Sequence, residues 1–281
     1  MKRTAACGFV LASLFVSCPL LNSTTIIAFI GEDRILIATD AKSSISNSEG
    51  HFNHVKICKI YQSGDSYFAF QGFDQWDDIN FTSSEIAKKN TMLTVEGRAE
   101  AFAREAKAPL LTALQFGYRV RNEGNNFPIY QALIGSPKYP LIALFVGMES
   151  GSSVFEEVKM VKVVDSHDRP IRIDTEIQNC PGNFCPPKGK LASFWLGETD
   201  AAKEEYSRML ARHDNPMKDL VATLRHLVET EIAAVPSTVG PPIAILEINK
   251  SGSRWVVGGE CAKVTNTPKV KPEPRKAKSL R

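Results

Sequence analysis

The sequence lacks the short motifs that identify several common classes of protein. Its five histidines show no metal-site spacing, and it has no Cys-x-x-Cys pair, which argues against a zinc centre. It has no Gly-x-Ser-x-Gly segment, which argues against a serine hydrolase of that type. Only one apolar run approaches the length of a membrane span, and no solenoid-type repeat occurs. These absences exclude a multi-span membrane protein and a repeat protein.

The composition is that of a globular protein. Hydrophobic residues make up 43% and charged residues 23% of the 281 positions, which excludes a wholly disordered or collagen-like chain. The net charge of +3 is unevenly distributed: residues 1–23 carry +2, residues 262–281 carry +6 and residues 24–261 carry −5. A mildly acidic globule with a basic tail is a poor candidate for binding nucleic acid through its folded surface. We therefore expect no nucleic-acid partner.

Residues 1–23 have the pattern of an export signal. Lys2 and Arg3 precede an apolar run over residues 5–21, and Ser23 is a small residue suited to the position before a signal-peptidase cut. Removal of this signal peptide would leave a domain over residues 24–261 and a tail over 262–281 that we expect to be disordered. We expect a periplasmic or secreted protein with no stable membrane span. Two alternatives stay open, an uncleaved anchor and a lipoprotein cut at Cys18.

The cysteines fit an exported protein. Beyond the signal the chain retains Cys58, Cys180, Cys185 and Cys261, which allow three pairings into two disulfides. Cys180 and Cys185 enclose the turn-forming residues Pro-Gly-Asn-Phe, so we favour a local bridge between them. A bridge between Cys58 and Cys261 then follows by elimination.

Hydrophobic periodicity predicts an α+β fold. Strands are predicted at residues 25–30, 35–39, 56–61, 66–70, 139–148, 154–164, 191–196, 243–248 and 254–257, and helices at 95–118, 199–213 and 216–234. Pro109 is expected to kink or split the first helix, and Asn215 to cap the last. Residues 165–190 are rich in Asp, Pro, Gly and Asn and are predicted to form a loop. Two antiparallel sheets with a helical layer on each outer face would bury all the apolar faces.

A chemical interpretation depends on where the chain is cut. Cleavage after Ser23 would make Thr24 the first residue, so that its free α-amine could act as the base for its own hydroxyl. That amine has an ordinary pKa of about 7.7–8.0, and a nearby cation would lower this pKa. We take Lys56 as the cation and Asp40 as its partner, because both lie at predicted strand ends and a buried lysine needs a counter-charge.

The segments that carry these residues resemble the start of a proteasome β-subunit, a hydrolase with an N-terminal threonine nucleophile. They are Thr-Thr-Ile-Ile-Ala-Phe from Thr24, Ile-Leu-Ile-Ala-Thr-Asp ending at Asp40, and the Lys-Ile pair at Lys56. In that family an Asp follows the first Thr after sixteen residues and a Lys after thirty-two, which is the spacing found here. The resemblance implies that Thr24 is both nucleophile and base, that Lys56 tunes its amine, and that Asp40 holds Lys56.

The resemblance also implies a fold and an oxyanion donor. The fold is a four-layer αββα sandwich, with two antiparallel sheets and helices on both outer faces. The donor is a glycine backbone N–H after the fourth strand, for which Gly72 in Phe-Ala-Phe-Gln-Gly is the candidate. The implied activity is hydrolysis of peptide or other amide bonds, with no cofactor and no metal. Because the family assembles into stacked rings, a homo-oligomer is a possible form of this chain.

The later motifs of the family are altered here. Glu198, in Leu-Gly-Glu-Thr-Asp, takes the position of a family Ser, and residues 236–242 lack the family's Asp and a clear Ser. Those groups order the nucleophile and its amine, so the alternative function is an inactive sandwich that serves as a binding or assembly scaffold. Plainer interpretations also stay open, in which Thr24 is an ordinary strand residue, Asp40 and Lys56 are a structural ion pair, and Gly72 turns the chain.

Overall fold

Fourteen strands and four helices make up the described part of the chain, and the two largest sheets determine the architecture. The structure, a computed structural model, describes residues 24–46, 52–73, 75–76, 81–122, 138–258 and 261. The strands are β1 Thr25–Ile30, β2 Arg34–Asp40, β3 Lys42–Ser46, β4 Phe52–Lys56, β5 Ile60–Ser63, β6 Ser66–Gly72, β7 Gln75–Trp76, β8 Phe81–Thr82, β9 Leu141–Glu149, β10 Ser152–Val164, β11 Pro170–Cys180, β12 Ala192–Gly197, β13 Ile243–Asn249 and β14 Gly252–Val257. The helices are α1 Ser83–Lys89, α2 Val95–Asn122, α3 Asp200–Ala211 and α4 Leu220–Ala234. The predicted signal over residues 1–23 and the tail over 262–281 lie outside the described residues.

Each large sheet contains five antiparallel strands. The first sheet has the order β12-β1-β2-β13-β14, and the second has the order β11-β10-β9-β6-β5. The pairs β3–β4 and β7–β8 form two small hairpins outside these sheets. The predicted class is confirmed, since two antiparallel sheets pack as a sandwich in a chain of mixed α and β structure.

Helices cover the outer face of each sheet. α2 packs against β9, β10 and β11 of the second sheet, and α4 packs against β1, β2 and β13 of the first. The three largest apolar clusters lie under α2, between the sheets, and under α3 and α4. α2 continues through Pro109 as a single helix, so this proline does not split it.

The burial of the first strand explains why its sequence is a nearly continuous apolar run. All six residues of β1 are buried. Ile26, Ala28 and Ile30 face the second sheet, whereas Ile27 and Phe29 face the helices. A strand inside a four-layer sandwich is covered on both faces, so apolar residues occupy every position after Thr25 instead of alternating with polar ones.

Two segments differ from the prediction. Residues 165–190 were expected to form a loop, but β11 runs through them and pairs with β10 from Phe155 to Val164. The backbone partners that β10 offers outweigh the weak strand propensity of a segment rich in polar residues. The second difference is at α4, where Asp219 and not Asn215 is the N-cap and accepts a hydrogen bond from the N–H of Ala222 at 2.9 Å.

Both predicted disulfides are present. Cys180–Cys185 closes the connection that follows β11, and Cys58–Cys261 joins the start of β5 to the residues after β14. Structural disulfides persist in oxidising compartments, so this pair is typical of a protein that folds in one. Of the helices in the described part of the chain, none has both the length and the hydropathy needed to cross a membrane.

Candidate active site

Asp40, the last residue of β2, is a fully buried carboxylate with four hydrogen-bond donors. Its Oδ1 accepts from the N–H of Thr25 at 2.9 Å and from Nζ of Lys59 at 2.7 Å. Its Oδ2 accepts from the N–H of Lys42 at 3.0 Å and from the N–H of Gly240 at 3.2 Å. A buried carboxylate is stable in its charged form only with such partners. Asp40 thereby connects four separate segments at one end of the sandwich.

The ion pair between Asp40 and Lys59 joins the two sheets. Asp40 ends a strand of the first sheet, and Lys59 immediately precedes β5, the edge strand of the second. The Lys59 side chain is 6% exposed and that of Asp40 is not exposed at all. Burial lowers the pKa of Lys59 from its ordinary value of 10.5, while the charge and the hydrogen bond of Asp40 oppose this shift. The site therefore holds a desolvated cation beside a fixed anion.

The lysine beside Asp40 is not the one expected from the sequence. Lys56 is exposed, ends β4 and lies opposite Lys42 in the β3–β4 hairpin. The expectation of a buried Lys56 is therefore wrong, and Lys59, three residues later, takes its place beside Asp40. The sequence contains no local signal that separates the two lysines, because both have apolar neighbours, Val55 and Ile57 for Lys56 and Cys58 and Ile60 for Lys59.

Thr24 lies directly before β1 and is half-buried. Its carbonyl oxygen accepts a hydrogen bond from the N–H of Glu198 at 2.8 Å, which extends the pairing of β1 and β12 by one residue. Gly197 makes this approach possible, because its φ is +82° and a Cβ there would lie 1.7 Å from the Thr24 oxygen. Any other residue at position 197 would collide with the backbone of Thr24.

The neighbouring Thr25 has a structural role. It is fully buried, its N–H donates to Asp40, and its hydroxyl donates to the carbonyl of Glu198 at 2.7 Å. Of the two threonines, Thr24 is thus the more accessible, while Thr25 fixes the start of β1 against Asp40 and β12. Because the N–H of Thr25 binds Asp40, Thr24 is the residue directly before the one that contacts the Asp40–Lys59 pair.

Gly72 ends β6 in the second sheet. Ile60 of β5 pairs with Ala69 of β6, so Gly72, three residues further along, lies at the end of the sheet where Lys59 enters it. Its φ is +96°, and a Cβ there would lie 2.3 Å from the carbonyl oxygen of Pro140. The close backbone approach explains the glycine without reference to catalysis. The oxyanion role of its N–H stays a prediction.

Glu198 lies between Thr24 and the start of α3. Partial burial raises the pKa of its carboxyl above the ordinary 4.5, and the nearby charges of Glu231 and Asp200 raise it further. Glu231, from α4, is itself buried and accepts a hydrogen bond from the N–H of Ala202 in the first turn of α3 at 2.9 Å. A carboxyl group with a raised pKa therefore occupies the position where the resemblance implies a serine.

The turn over residues 236–242 reaches the site through its backbone. Nζ of Lys42 donates to the carbonyls of Pro236 at 2.7 Å and Ser237 at 2.8 Å. The N–H of Ala41 donates to the carbonyl of Gly240 at 3.2 Å, and the N–H of Gly240 donates to Asp40. The turn therefore contacts Asp40 and the residue after it through main-chain groups.

In the described part of the chain, no group of three or more His, Cys, Asp or Glu side chains is placed to hold a metal ion. Comparisons of the sequence with models of protein families and with curated proteins find no match.

Proposed function

We propose that the chain is an exported hydrolase of peptide or other amide bonds that uses Thr24 as an N-terminal nucleophile. The observation that carries this proposal is the buried Asp40–Lys59 pair, whose carboxylate also binds the N–H of the residue after Thr24. This arrangement places a cation and a fixed anion close to the position where a new N-terminus would form. The likeness of residues 24–40 to a proteasome β-subunit and the sandwich fold support the same proposal.

The reaction would begin when removal of residues 1–23 frees the α-amine of Thr24. The neutral amine takes the hydroxyl proton while the oxygen attacks the substrate carbonyl, and the proton then passes to the leaving amine. The product is an ester of Thr24, which water hydrolyses to regenerate the hydroxyl. The positive charge of Lys59 lowers the pKa of the neighbouring α-amine, because like charges disfavour the ammonium form.

Two further groups would assist this reaction. The N–H of Gly72 is the proposed oxyanion donor, and a single donor of this kind contributes about 3–4 kcal/mol to lowering the barrier. Lys59, instead of Lys56, is the proposed basic residue, because it is the lysine that Asp40 binds. The two disulfides fit the export that liberation of Thr24 requires.

A scaffold without catalytic activity is the second candidate function. The observation that favours it is Glu198, a carboxyl group in the position where the resemblance implies the serine that orders the amine. A charged carboxylate there would hold the α-amine as an ammonium ion and remove the base. In such a scaffold Asp40 and Lys59 would serve only to join the two sheets.

The mature N-terminus and Thr24 variants distinguish these functions. The hydrolase predicts that the exported chain begins at Thr24, that a β-lactone acylates it, and that Thr24→Ser keeps the labelling while Thr24→Ala abolishes it. Thr25→Ser is the matched control, since it alters the adjacent, buried threonine and keeps its hydroxyl. A chain that begins at another residue, or equal labelling of Thr24→Ala and the unaltered protein, would exclude the proposed mechanism.

A further inference from the structure

Lys59 is held in place from two directions. On one side its ammonium binds Asp40. On the other, its backbone follows Cys58, and residues 57–59 form the short connection between β4 and β5. This connection is tied at Cys58 by the disulfide to Cys261 and at Ile57 by a hydrogen bond from its N–H to the carbonyl of Ala41 at 2.8 Å. The position of the Lys59 ammonium therefore depends on how strongly the disulfide and the hydrogen bond of Ile57 restrain residues 57–59.

The disulfide is anchored next to the strand that carries Asp40. Cys58 and Cys261 are 7% and 8% exposed, and they pack against Ala244 of β13. Ala244 pairs directly with Thr39, the residue before Asp40. The bridge thus fastens the backbone before Lys59 to Cys261, which follows β14, and both cysteines pack against the strand adjacent to the one that ends at Asp40.

We propose that the Cys58–Cys261 bridge is a positioning element for Lys59, and that its reduction by a dithiol switches the site off. In that step the dithiol supplies two electrons and two protons, Cys58 and Cys261 become thiols, and the reductant becomes a disulfide. The loss of activity in this proposal rests on the proposed hydrolase function. The displacement of Lys59 does not, and it can be measured separately.

The second disulfide provides a matched control within the same chain. Cys180–Cys185 spans a separation of 5 residues, whereas Cys58–Cys261 spans 203. The short bridge closes only the local connection after β11, so opening it leaves the Lys59 connection tied. The two bridges should differ in effect because only Cys58–Cys261 is attached to the residue directly before Lys59.

The test compares Cys58→Ser/Cys261→Ser with Cys180→Ser/Cys185→Ser. In protein labelled with ¹³C at the lysine ε-carbon, the Lys59 signal is assigned by its loss in Lys59→Met. We expect the first pair of substitutions to move the Lys59 titration towards that of an exposed lysine, and the second pair to leave it unchanged. Misplacement of a catalytic group by about 1 Å costs on the order of 100-fold in rate, so hydrolysis should fall by about that factor in the first pair alone.

The outcomes separate the two proposals. A displaced Lys59 signal together with no hydrolysis by the unaltered protein would support the positioning role and contradict the hydrolase. An unchanged Lys59 signal in Cys58→Ser/Cys261→Ser, or equal changes in both double variants, would overturn the positioning role. If the first variant does not fold, the unaltered protein is titrated with dithiothreitol. The Lys59 signal should then move before the backbone amide spectrum collapses, and simultaneous loss of both would overturn the proposal.

Discussion

The ammonium of Lys59 lies 2.7 Å from the carboxylate of Asp40 and connects the ends of two different sheets. Asp40 also binds the N–H groups of Thr25 and Gly240, so a single side chain fixes the start of β1 and the turn before β13. The pair is at once a structural joint and the centre of the proposed active site. Substitutions there should affect both stability and chemistry.

Replacing Lys59 should be far more costly than replacing Lys56. Lys59→Met leaves the carboxylate of Asp40 buried without its cation, and breaking a buried pair in this way costs about 3–5 kcal/mol of unfolding free energy. Lys56→Met alters an exposed residue, and its effect should stay within about 0.5 kcal/mol. Urea denaturation of the two variants measures the difference. Equal losses would show that Asp40 does not depend on Lys59.

The Asp40–Lys59 pair should also be visible in the pH dependence of stability. The folded state lowers the pKa of Lys59 below its ordinary value of 10.5. At pH values between the lowered pKa and 10.5, the unfolded chain therefore binds the proton more strongly than the folded chain. The unfolding free energy contributed by this group therefore rises with pH across that window. Denaturation at several alkaline pH values should show this rise in the unaltered protein, and a smaller rise in Lys59→Met. Parallel curves for the two proteins would contradict the prediction.

Glu156 should give the opposite pH dependence. Burial and the charges of Glu96 and Glu100 raise its pKa to about 7, so the folded state holds a proton that the unfolded chain releases near 4.5. Stability due to this group is therefore present below about pH 4.5 and is lost as pH rises to about 7.

Glu156→Gln should be more stable than the unaltered protein at pH 8 and similar to it at pH 4. A shift of this size corresponds to at most about 3 kcal/mol of unfolding free energy at pH 8. Glu204→Gln, on the exposed face of α3, is the control and should change little at either pH. A gain that is the same at pH 4 and pH 8 would rule out titration of Glu156 as the cause.

Gly197→Ala should displace Thr24. The new Cβ would meet the Thr24 carbonyl oxygen at 1.7 Å, in addition to the cost of placing a side chain at a φ of +82°. Gly189→Ala isolates the second effect, because Gly189 has a φ of +72° with nothing within 4 Å of the added Cβ. The control should lose about 1–2 kcal/mol from its backbone conformation alone.

The comparison of the two alanine variants therefore measures the contact with Thr24. We expect Gly197→Ala to lose clearly more stability in urea than Gly189→Ala, and to lose labelling of Thr24 by the β-lactone. Equal stability and equal labelling of the two variants would show that the close approach of Gly197 to Thr24 affects neither the stability of the protein nor the reactivity of Thr24.

Much of the fold could be predicted from local patterns. The β1–β2 hairpin was found because its apolar runs are separated by a clear turn, and the bridge between Cys180 and Cys185 because a turn lies between them. β11 could not be found in this way, because its residues are polar and its stability comes from pairing with β10. The N-cap of α4 was misplaced for a related reason, since both Asn215 and Asp219 are good caps and the structure uses the later one.

In the candidate site, too, some residues could be predicted from local patterns and others depend on tertiary contacts. Asp40 was identified because a carboxylate at the end of an apolar strand is conspicuous, and Thr24 because it follows an expected cut. The choice between Lys56 and Lys59 was decided by the chain between β4 and β5, whose path depends on Asp40, on Ala41 and on the disulfide at Cys58. Spacing counted along the sequence points to Lys56 and does not show the path of this connection.

By itself, the sequence predicted the class of fold, the local bridge between Cys180 and Cys185 and the strand that ends at the buried acid, because each follows from the order of neighbouring residues. The bridge between Cys58 and Cys261 followed only by elimination. Only the tertiary structure decided which lysine meets that acid and that a main-chain group of the turn over residues 236–242 binds it. The physical reason is that burial and hydrogen bonding act between segments up to 200 residues apart, such as Asp40 and Gly240.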